Sequence, residues 1–542
     1  MNELDSLTFA AMLRQGAVTL GKEKKVINDL NVFPVPDGDT GDNMYMTIKA
    51  GCTALEGHLG TLSELSAAAS SGMLLGARGN SGVILSRIFA GLAKGLHEVI
   101  EADVMAFDKA MHAAVEEAYK AIPAPVEGTI ITVLREGVEG ADASGDLEHY
   151  FETMLEAMQV SLDHTPDLLP VLKNAGVVDS GGAGLLCIFK GMCSALKGDV
   201  SEEELIPAAA PTAPAVDLDK FDENSKLEFG YCTEFLLRLL RSKVDLESFD
   251  EKVIFDYLNQ VGESVVAFRD GSIVKVHVHT FTPGVILNEM QKYGEFLTIK
   301  IENMSLQHHQ ETNQNNASFK LPPKNYGIVT VASGEGLMNA FKEMGVDEVI
   351  AGGQTMNPST QSFIEAFKRI NAQHILVFPN NSNIKMAAEQ AAELYQEADV
   401  RVIASTSVGE GYYGIGCIDR DNPNVDEVIA TVVEAMEATV SGMVSTAIRD
   451  AEGEVVVHEG DFVGFSGKKI LSDSASRPEA LKTLCRKLDI GSRDVMLVFY
   501  GQNVPEEEAE TLATELQNEY KNLEIIMNCG LQPVYDYILL LC

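Results

Sequence analysis

Two stretches without apolar periodicity divide this 542-residue chain into three blocks: 198–226, rich in Pro, Ala and acid, and 306–324, polar and rich in Gln and Asn. Both read as extended connections. Length alone favours about three or four domains. The first block, 1–197, holds long segments of helical period such as SELSAAASSGMLLGA, DKAMHAAVEEAYKAI and EHYFETMLEAMQVSLDH, with hardly an alternating β-branched run. It predicts an all-α bundle. The second, 227–305, mixes strand-like SVVAFRD, IVKVHVHT and FLTIKIENM with helix-like TEFLLRLLR and PGVILNEMQKYG, a small α+β unit. The third, 325–542, sets short apolar strands before helical patterns, as βαβ units of a parallel α/β sheet do, with any ligand expected at the strand ends. GEGYYG at 409–414 matches a dinucleotide-loop spacing, but IGCIDRDNPN after it reads as no helix, so that reading is set aside.

Eighty acidic against 41 basic residues leave a net charge of −39, which argues against nucleic acid, because duplex binding runs on Lys and Arg neutralising phosphates. The N-terminus shows no charged n-region before an apolar run, and no apolar stretch reaches the length of about 18 residues that a membrane span needs. A cytoplasmic protein is expected. Eight cysteines without a C-x-x-C pair fit reduced thiols in a large intracellular chain.

The chemistry is concentrated in NVFPVPDGDTGDNM at 31–44, where Asp37, Asp39 and Asp42 fall within six positions on a chain kinked by Pro34 and Pro36 and loosened by Gly38 and Gly41. Clustered carboxylates on a tight turn suit Mg²⁺, which takes hard oxygen ligands and shares them with phosphates. Asp and Gly also build ordinary acidic turns. Three further Gly-rich segments shift the balance: GARGNSG at 76–82, PVEGTIITV at 125–133 and NAGVVDSGGAGL at 174–185. Each lets backbone N–H groups come close to a phosphate, and GARGNSG runs into the helical VILSRIFAGL. No G-x-x-x-x-G-K-[ST] run occurs, so a P-loop is excluded on motif grounds.

In this ordered set the first 195 or so residues resemble the nucleotide-binding L subunit of dihydroxyacetone kinases and, more closely, the kinase domain of the A subunit of bacterial fatty-acid kinases. The resemblance implies an all-α nucleotide-binding bundle or barrel, ATP, and Mg²⁺, with two ions expected. It implies metal ligation by Asp37 and Asp39 and places Asp42 within reach as a third oxygen ligand. Asn31, Thr40 and Asn43 would flank the cluster. Gly79, Asn80, Ser81 and Gly82 would cradle phosphate, while Thr129 and the stretch Asp179, Ser180, Gly181 and Gly182 would close over the nucleotide. Arg78 reads equally as a phosphate neutraliser or a surface arginine.

A second constellation is Cys232 in FGYCTEF with His277 and His279 in VKVHVHT. A two-residue step on a strand puts both histidines on one face, about 6 to 7 Å apart. Thiolate plus two imidazoles suits Zn²⁺, with Asp270, Glu234, Thr280 or water as fourth ligand, and the same residues also read as plain sheet histidines near a thiol. The A subunits of fatty-acid kinases carry a matching Cys and H-x-H, so the resemblance implies a metal site in the middle domain. The third block resembles their DegV-related C-terminal domain through GGQTMNPSTQ, FPNNSNI, AIRDAEGEVVVHEGDFVGF and YGQNVPEEEAETLATELQNEY.

The resemblance thus covers nearly the whole chain. It implies an ATP-dependent kinase subunit that phosphorylates the carboxylate of a fatty acid presented by a separate lipid-carrier B subunit, giving an acyl-phosphate. Residues 325–542 are expected to dock that carrier and to stand clear of ATP. A homodimer is compatible with the sequence. The alternatives are a dihydroxyacetone-type small-molecule kinase and a non-catalytic nucleotide-binding regulator.

Overall fold

A computed structural model describes residues 3–542 apart from 32–34, 36–37, 59, 123, 199–230, 246–248, 250–251, 271, 304–322, 355, 489 and 491–492. Both expected connections lie largely or wholly outside the described residues. The chain forms two compact units, one made of 1–205 with 323–542 and the other of 206–322.

The N-terminal part of the first unit is helical: α1 (Ser6–Asp29), α2 (Thr40–Ala54), α3 (Leu62–Gly76), α4 (Gly79–Gly95), α5 (Val104–Lys120), α6 (Ile130–Glu139), α7 (Leu147–Leu168), α8 (Pro170–Ala175) and α9 (Ser180–Leu196). A two-residue antiparallel pair, β1 (Glu3–Leu4) with β2 (Ala102–Asp103), ties the chain start to the α4–α5 turn. Apolar faces repeating every three or four residues build one core, in which Leu13, Leu20, Ile48, Phe107, Phe151 and Phe189 are almost fully buried. Helix starts are marked by side-chain caps: Asp5, Asp103 and Asp146 each accept a backbone N–H, and Thr61 with Glu64 forms a reciprocal capping box.

The C-terminal part of that unit contains two sheets. The strands β7 (Lys324–Ala332), β8 (Glu348–Ala351), β9 (Ala372–Phe378) and β10 (Asp399–Val402) are all parallel, in the order β10-β9-β7-β8. This is the expected βαβ pattern. From residue 440 on the pattern changes, because β11 (Val440–Thr446), β12 (Phe462–Ser466), β13 (Lys469–Ser474), β14 (Val495–Tyr500), β15 (Glu524–Cys529) and β16 (Tyr537–Leu541) form a mixed sheet, in which only β14 and β15 run parallel. The hairpin connections between β11, β12 and β13 carry no crossover helix, so those strands must pair antiparallel. GEGYYG lies inside the helix Val408–Gly416, capped by Ser407, and forms no dinucleotide loop.

The second unit is a four-stranded antiparallel sheet, β3 (Tyr231–Leu239), β4 (Glu263–Asp270), β5 (Ile273–Thr280) and β6 (Gly294–Asn303), ordered β4-β5-β3-β6, with helices α10 (Lys252–Val261) and α11 (Pro283–Met290). TEFLLRLLR is strand, not helix. Thr233, Phe235, Leu237 and Leu239 are buried at every second position, and pairing on both sides by β5 and β6 overrides the helical preference of Leu and Arg. Among the described residues no helix is long and apolar enough to cross a membrane. Burial pushes the Cys52 and Cys485 thiols up to about 12, which fits their place as core filler.

Candidate functional site

The four Gly-rich segments singled out in the sequence all become helix starts, of α2, α4, α6 and α9. These starts converge. Ser180 at the head of α9 donates its hydroxyl to Thr40 at the head of α2 (3.3 Å), and Thr40 in turn donates to the Asn31 side-chain carbonyl (3.3 Å). Gly79 at the head of α4 lies against Asn43 of α2; a Cβ there would sit 2.3 Å from Asn43 Nδ2, and its φ of +57° also favours glycine. Gly181 packs against Ile130, the first residue of α6, so Thr129 joins the same corner.

Each helix start exposes N–H groups without intrahelical partners and the positive end of a macrodipole. For α2, α4 and α6 the N-cap residues Asp39, Arg78 and Thr129 make no side-chain cap hydrogen bond. Thr129 instead turns its hydroxyl back to the Val126 carbonyl (2.8 Å). Only α9 is capped by its own residue, Asp179 accepting from Gly182 N at 2.7 Å. Four helix starts facing one place, three of them not capped by their own N-cap residue, form a corner suited to a polyanion.

Asp39 caps no N–H of α2 because Asn28, on α1, does so in its place. Asn28 Oδ1 accepts from Gly41 N (2.7 Å) and Asp42 N (3.3 Å), while its Nδ2 donates to Asp42 Oδ2 (2.7 Å). Gly41 permits this contact, since a Cβ would fall 2.2 Å from the Lys24 carbonyl oxygen. Asp42 also pairs with Lys24 Nζ at 2.6 Å, so both of its oxygens are held from α1, each keeping a further lone pair. Asp37 lies outside the described residues. The oxygen donors here suit a hard cation, and Asn80 Oδ1 beside them is buried with no partner.

Three residues outside the sequence reading belong to the corner. Lys24 and Asn28 are two; the third is Asn357, from the segment that follows β8. Asn357 donates its side-chain amide to Asp39 Oδ2 (2.6 Å) and reaches Asn43 Oδ1 (3.4 Å). Arg78 is half-buried: its Nη1 donates to the Asn357 carbonyl (2.7 Å), and burial lowers its pKa. Residues 325–542, expected to stand clear of ATP, thus reach the acidic loop through Asn357. No spacing in the sequence connects positions 39 and 357.

In the second unit the strand register sets Cys232 opposite His279 and Glu234 opposite His277, alternating with the buried Thr233, Phe235, Val276 and Val278. All four thus hold positions on the sheet face away from the core, as the two-residue step predicts. The side chains of Cys232, Glu234 and His277 lie outside the described residues. Thr280 is removed as a fourth ligand: it falls on the core side, buried, and donates to the Val261 carbonyl (2.8 Å). Asp270 pairs with Ile273, four positions before His277, about 13 Å along the strand. Glu263, opposite His279 on β4, was missed by the sequence reading and lies in the same row. Among the described residues the one His-carboxylate cluster with metal-like spacing is elsewhere, His458 with Asp461 and Asp473, where a 2.8 Å ion pair between His458 and Asp473 accounts for it.

The helical domain whose helix starts form this corner matches the model of the DAK2 domain over residues 34–194. Models of the middle and C-terminal domains of proteins like the A subunit of fatty acid kinase match 228–311 and 327–541. Protein YloV of Bacillus subtilis is 39% identical over 99% of this chain and 98% of its own length. A Staphylococcus epidermidis protein is 36% identical over 99% of both chains. The chain belongs to the family of proteins like the A subunit of fatty acid kinase. The dihydroxyacetone kinase of C. freundii, solved with AMP-PNP and Mg²⁺, overlaps 54% of this chain and 55% of its own at 11% identity and a TM-score of 0.31, too slight a likeness to define a shared fold.

Asp179 offers a pH test of the corner. Burial pushes its carboxyl up to about 6, against the pull of backbone N–H groups of Gly182, Ile130 and Gly181. A raised carboxyl pKa means the folded chain binds the proton more tightly than the unfolded chain between about pH 4 and 6. Stability from this group is thus present below about pH 4 and lost as pH rises through about 6. Asp179→Asn keeps an acceptor for the cap but carries no charge. Its melting temperature relative to the native chain should rise by a few degrees between about pH 4.5 and 7.5. A pH-independent difference in differential scanning calorimetry would refute the shift.

Proposed function

We propose that this chain is the ATP-binding kinase subunit that transfers the γ-phosphoryl group to the carboxylate of a fatty acid held by a separate lipid carrier, giving an acyl-phosphate and ADP. The observation that carries the nucleotide half is the convergence of four helix starts beside Asp39, three of whose own N-cap residues make no side-chain cap hydrogen bond. Family membership supports the acceptor and the carrier.

Phosphoryl transfer asks a protein mainly to position the groups and neutralise charge. Backbone N–H groups from Asn80, Ser81 and Ser180 would bind phosphate oxygens, with Gly82, Gly181 and Gly182 leaving room for the close approach, each helix end adding about 0.3–1 kcal/mol. Asn31, Thr40 and Asn43 would bind and orient the nucleotide beside the acidic loop. Asp37, Asp39 and Asp42 would hold Mg²⁺, which when bound shields the phosphates and the charge developing on the leaving oxygen. A fatty-acid carboxylate is already ionised at neutral pH, so its oxygen attacks the γ-phosphorus without a general base. The P–O bond to ADP breaks as the acyl O–P bond forms. Residues 325–542 would dock the carrier, bringing its carboxylate to the corner. We also assign zinc to the face bearing Cys232, His277 and His279, and a cytoplasmic location.

Incubating the chain with ATP, Mg²⁺ and oleate should give an acyl-phosphate, trapped by hydroxylamine, only when a lipid-carrier protein is present. Turnover of dihydroxyacetone without a carrier, or bound nucleotide that never turns over, would overturn this reading. Asp39→Ala should cost about 10³-fold or more in kcat, because it removes charge stabilisation, and should lower the melting temperature by only a few degrees through loss of the Asn357 hydrogen bond. Elemental analysis should find about one zinc per chain, lost in the double variant His277→Ala, His279→Ala together with thermal stability. Metal-free native protein would make these ordinary sheet histidines.

A further inference from the structure

Asp39 is held across a domain seam, and the hold is aimed. Asn357 is 2% exposed, and its amide nitrogen lies 2.6 Å from Asp39 Oδ2, within the range of a charge-assisted hydrogen bond. The opposite amide orientation would set a carbonyl oxygen against a carboxylate, so the donor must face Asp39. The backbone behind that side chain is pinned from the kinase side: Arg78 Nη1 donates to the Asn357 carbonyl, Ser359 bridges Arg78, and Thr360 N donates to the Ala77 carbonyl (3.1 Å). The loop that bears Asp39 is pinned in turn, because Val35 is 1% exposed within the C-terminal apolar cluster that includes Ile328, Phe341 and Phe499.

Two buried acceptors in this corner, Asn357 Oδ1 and Asn80 Oδ1, have no donor. Such an atom costs about 1–3 kcal/mol unless something supplies a proton. Two such acceptors close to a carboxylate are groups that a hydrated cation can satisfy.

Building on the kinase reading above, we propose that Asn357 is a positioning residue of the nucleotide site: its amide fixes the Asp39 carboxylate so that the remaining oxygen lone pairs take the metal of a metal-nucleotide complex. Metal-bound carboxylates are commonly oriented by such a partner, and its loss costs about 10- to 100-fold in metal affinity. The C-terminal domain therefore supplies part of the kinase site itself.

Calorimetry on the full chain with AMP-PNP, with and without Mn²⁺, tests this. In Asn357→Ala, and in Asn357→Leu, which fills the same space, metal-dependent nucleotide affinity should fall about 10- to 100-fold while metal-free affinity stays unchanged. Arg87→Ala cuts a different seam contact, to Gln390 (3.1 Å) and Glu393 (2.7 Å), and should leave both affinities as they are. If Asn357 only fastened the two domains, its variants would behave like Arg87→Ala, and the proposal would be wrong. Failure of the native chain to bind any metal-nucleotide would instead remove the kinase reading. Hydrogen exchange on the native chain needs no variant: Mn²⁺ with AMP-PNP should slow exchange across 356–362, and unchanged exchange there would also overturn the assignment.

Discussion

The start of α2 is capped from another helix, and the candidate site depends on that. Asn28 Oδ1 takes two of the orphan N–H groups that a helix N-terminus leaves, a task its own N-cap Asp39 would otherwise perform. An aspartate spent on capping has its oxygens aimed along the helix axis. Relieved of that task, Asp39 can turn toward the meeting point of the other helix starts. The arrangement works only because α1 and α2 lie close enough for a side chain to bridge them, which is why Gly41 stands where any Cβ would strike the Lys24 carbonyl.

On the proposed kinase reading, the same economy would let so acidic a chain hold a polyphosphate. With 80 carboxylates against 41 basic side chains, long-range charge works against an anion. The nearest arginine in the phosphate-loop segment, Arg78, is committed to the Asn357 carbonyl. Positive potential would then come from oriented backbone N–H groups, from Lys24 beside Asp42 and from the cation that the aspartates would hold, all acting at short range.

Much of this was legible in the sequence, and the reason is local. Glycine with small polar residues before an apolar helical run marks a helix start, so GARGNSG before VILSRIFAGL could be read directly, while the other three segments stood out as Gly-rich loops. The strand step of Cys232, His277 and His279 was legible for the same reason, since strand alternation needs no tertiary knowledge. What escaped depends on long-range contact. Asn28 looks like any polar residue near a helix end, and Asn357 sits in a turn 318 positions from its partner. TEFLLRLLR misled because its leucines satisfy either period, and only the two flanking strands decide between them. The mixed sheet after residue 440 was hidden because parallel and antiparallel strands share one apolar pattern until their connections are known.

Two apolar clusters cross the seam between the helical and the α/β parts of the first unit, one through Val35 and the other through Ala77 and Val83, which pack with Val329, Phe363 and Phe367. These residues flank the acidic loop and the phosphate-loop segment respectively. On the proposed reading, a nucleotide that orders those loops would act on the seam at Val35 and Asn357, and a shift of the seam at those residues would act on the nucleotide. Linkage makes the two effects equal in free energy. If the α/β part is where a carrier docks, arrival of a loaded carrier and binding of metal-nucleotide are coupled through Asn357 and Val35, without any further moving part. Such coupling would favour phosphoryl transfer when donor and acceptor are both in place, the condition under which an acyl-phosphate can form in preference to wasteful hydrolysis of ATP.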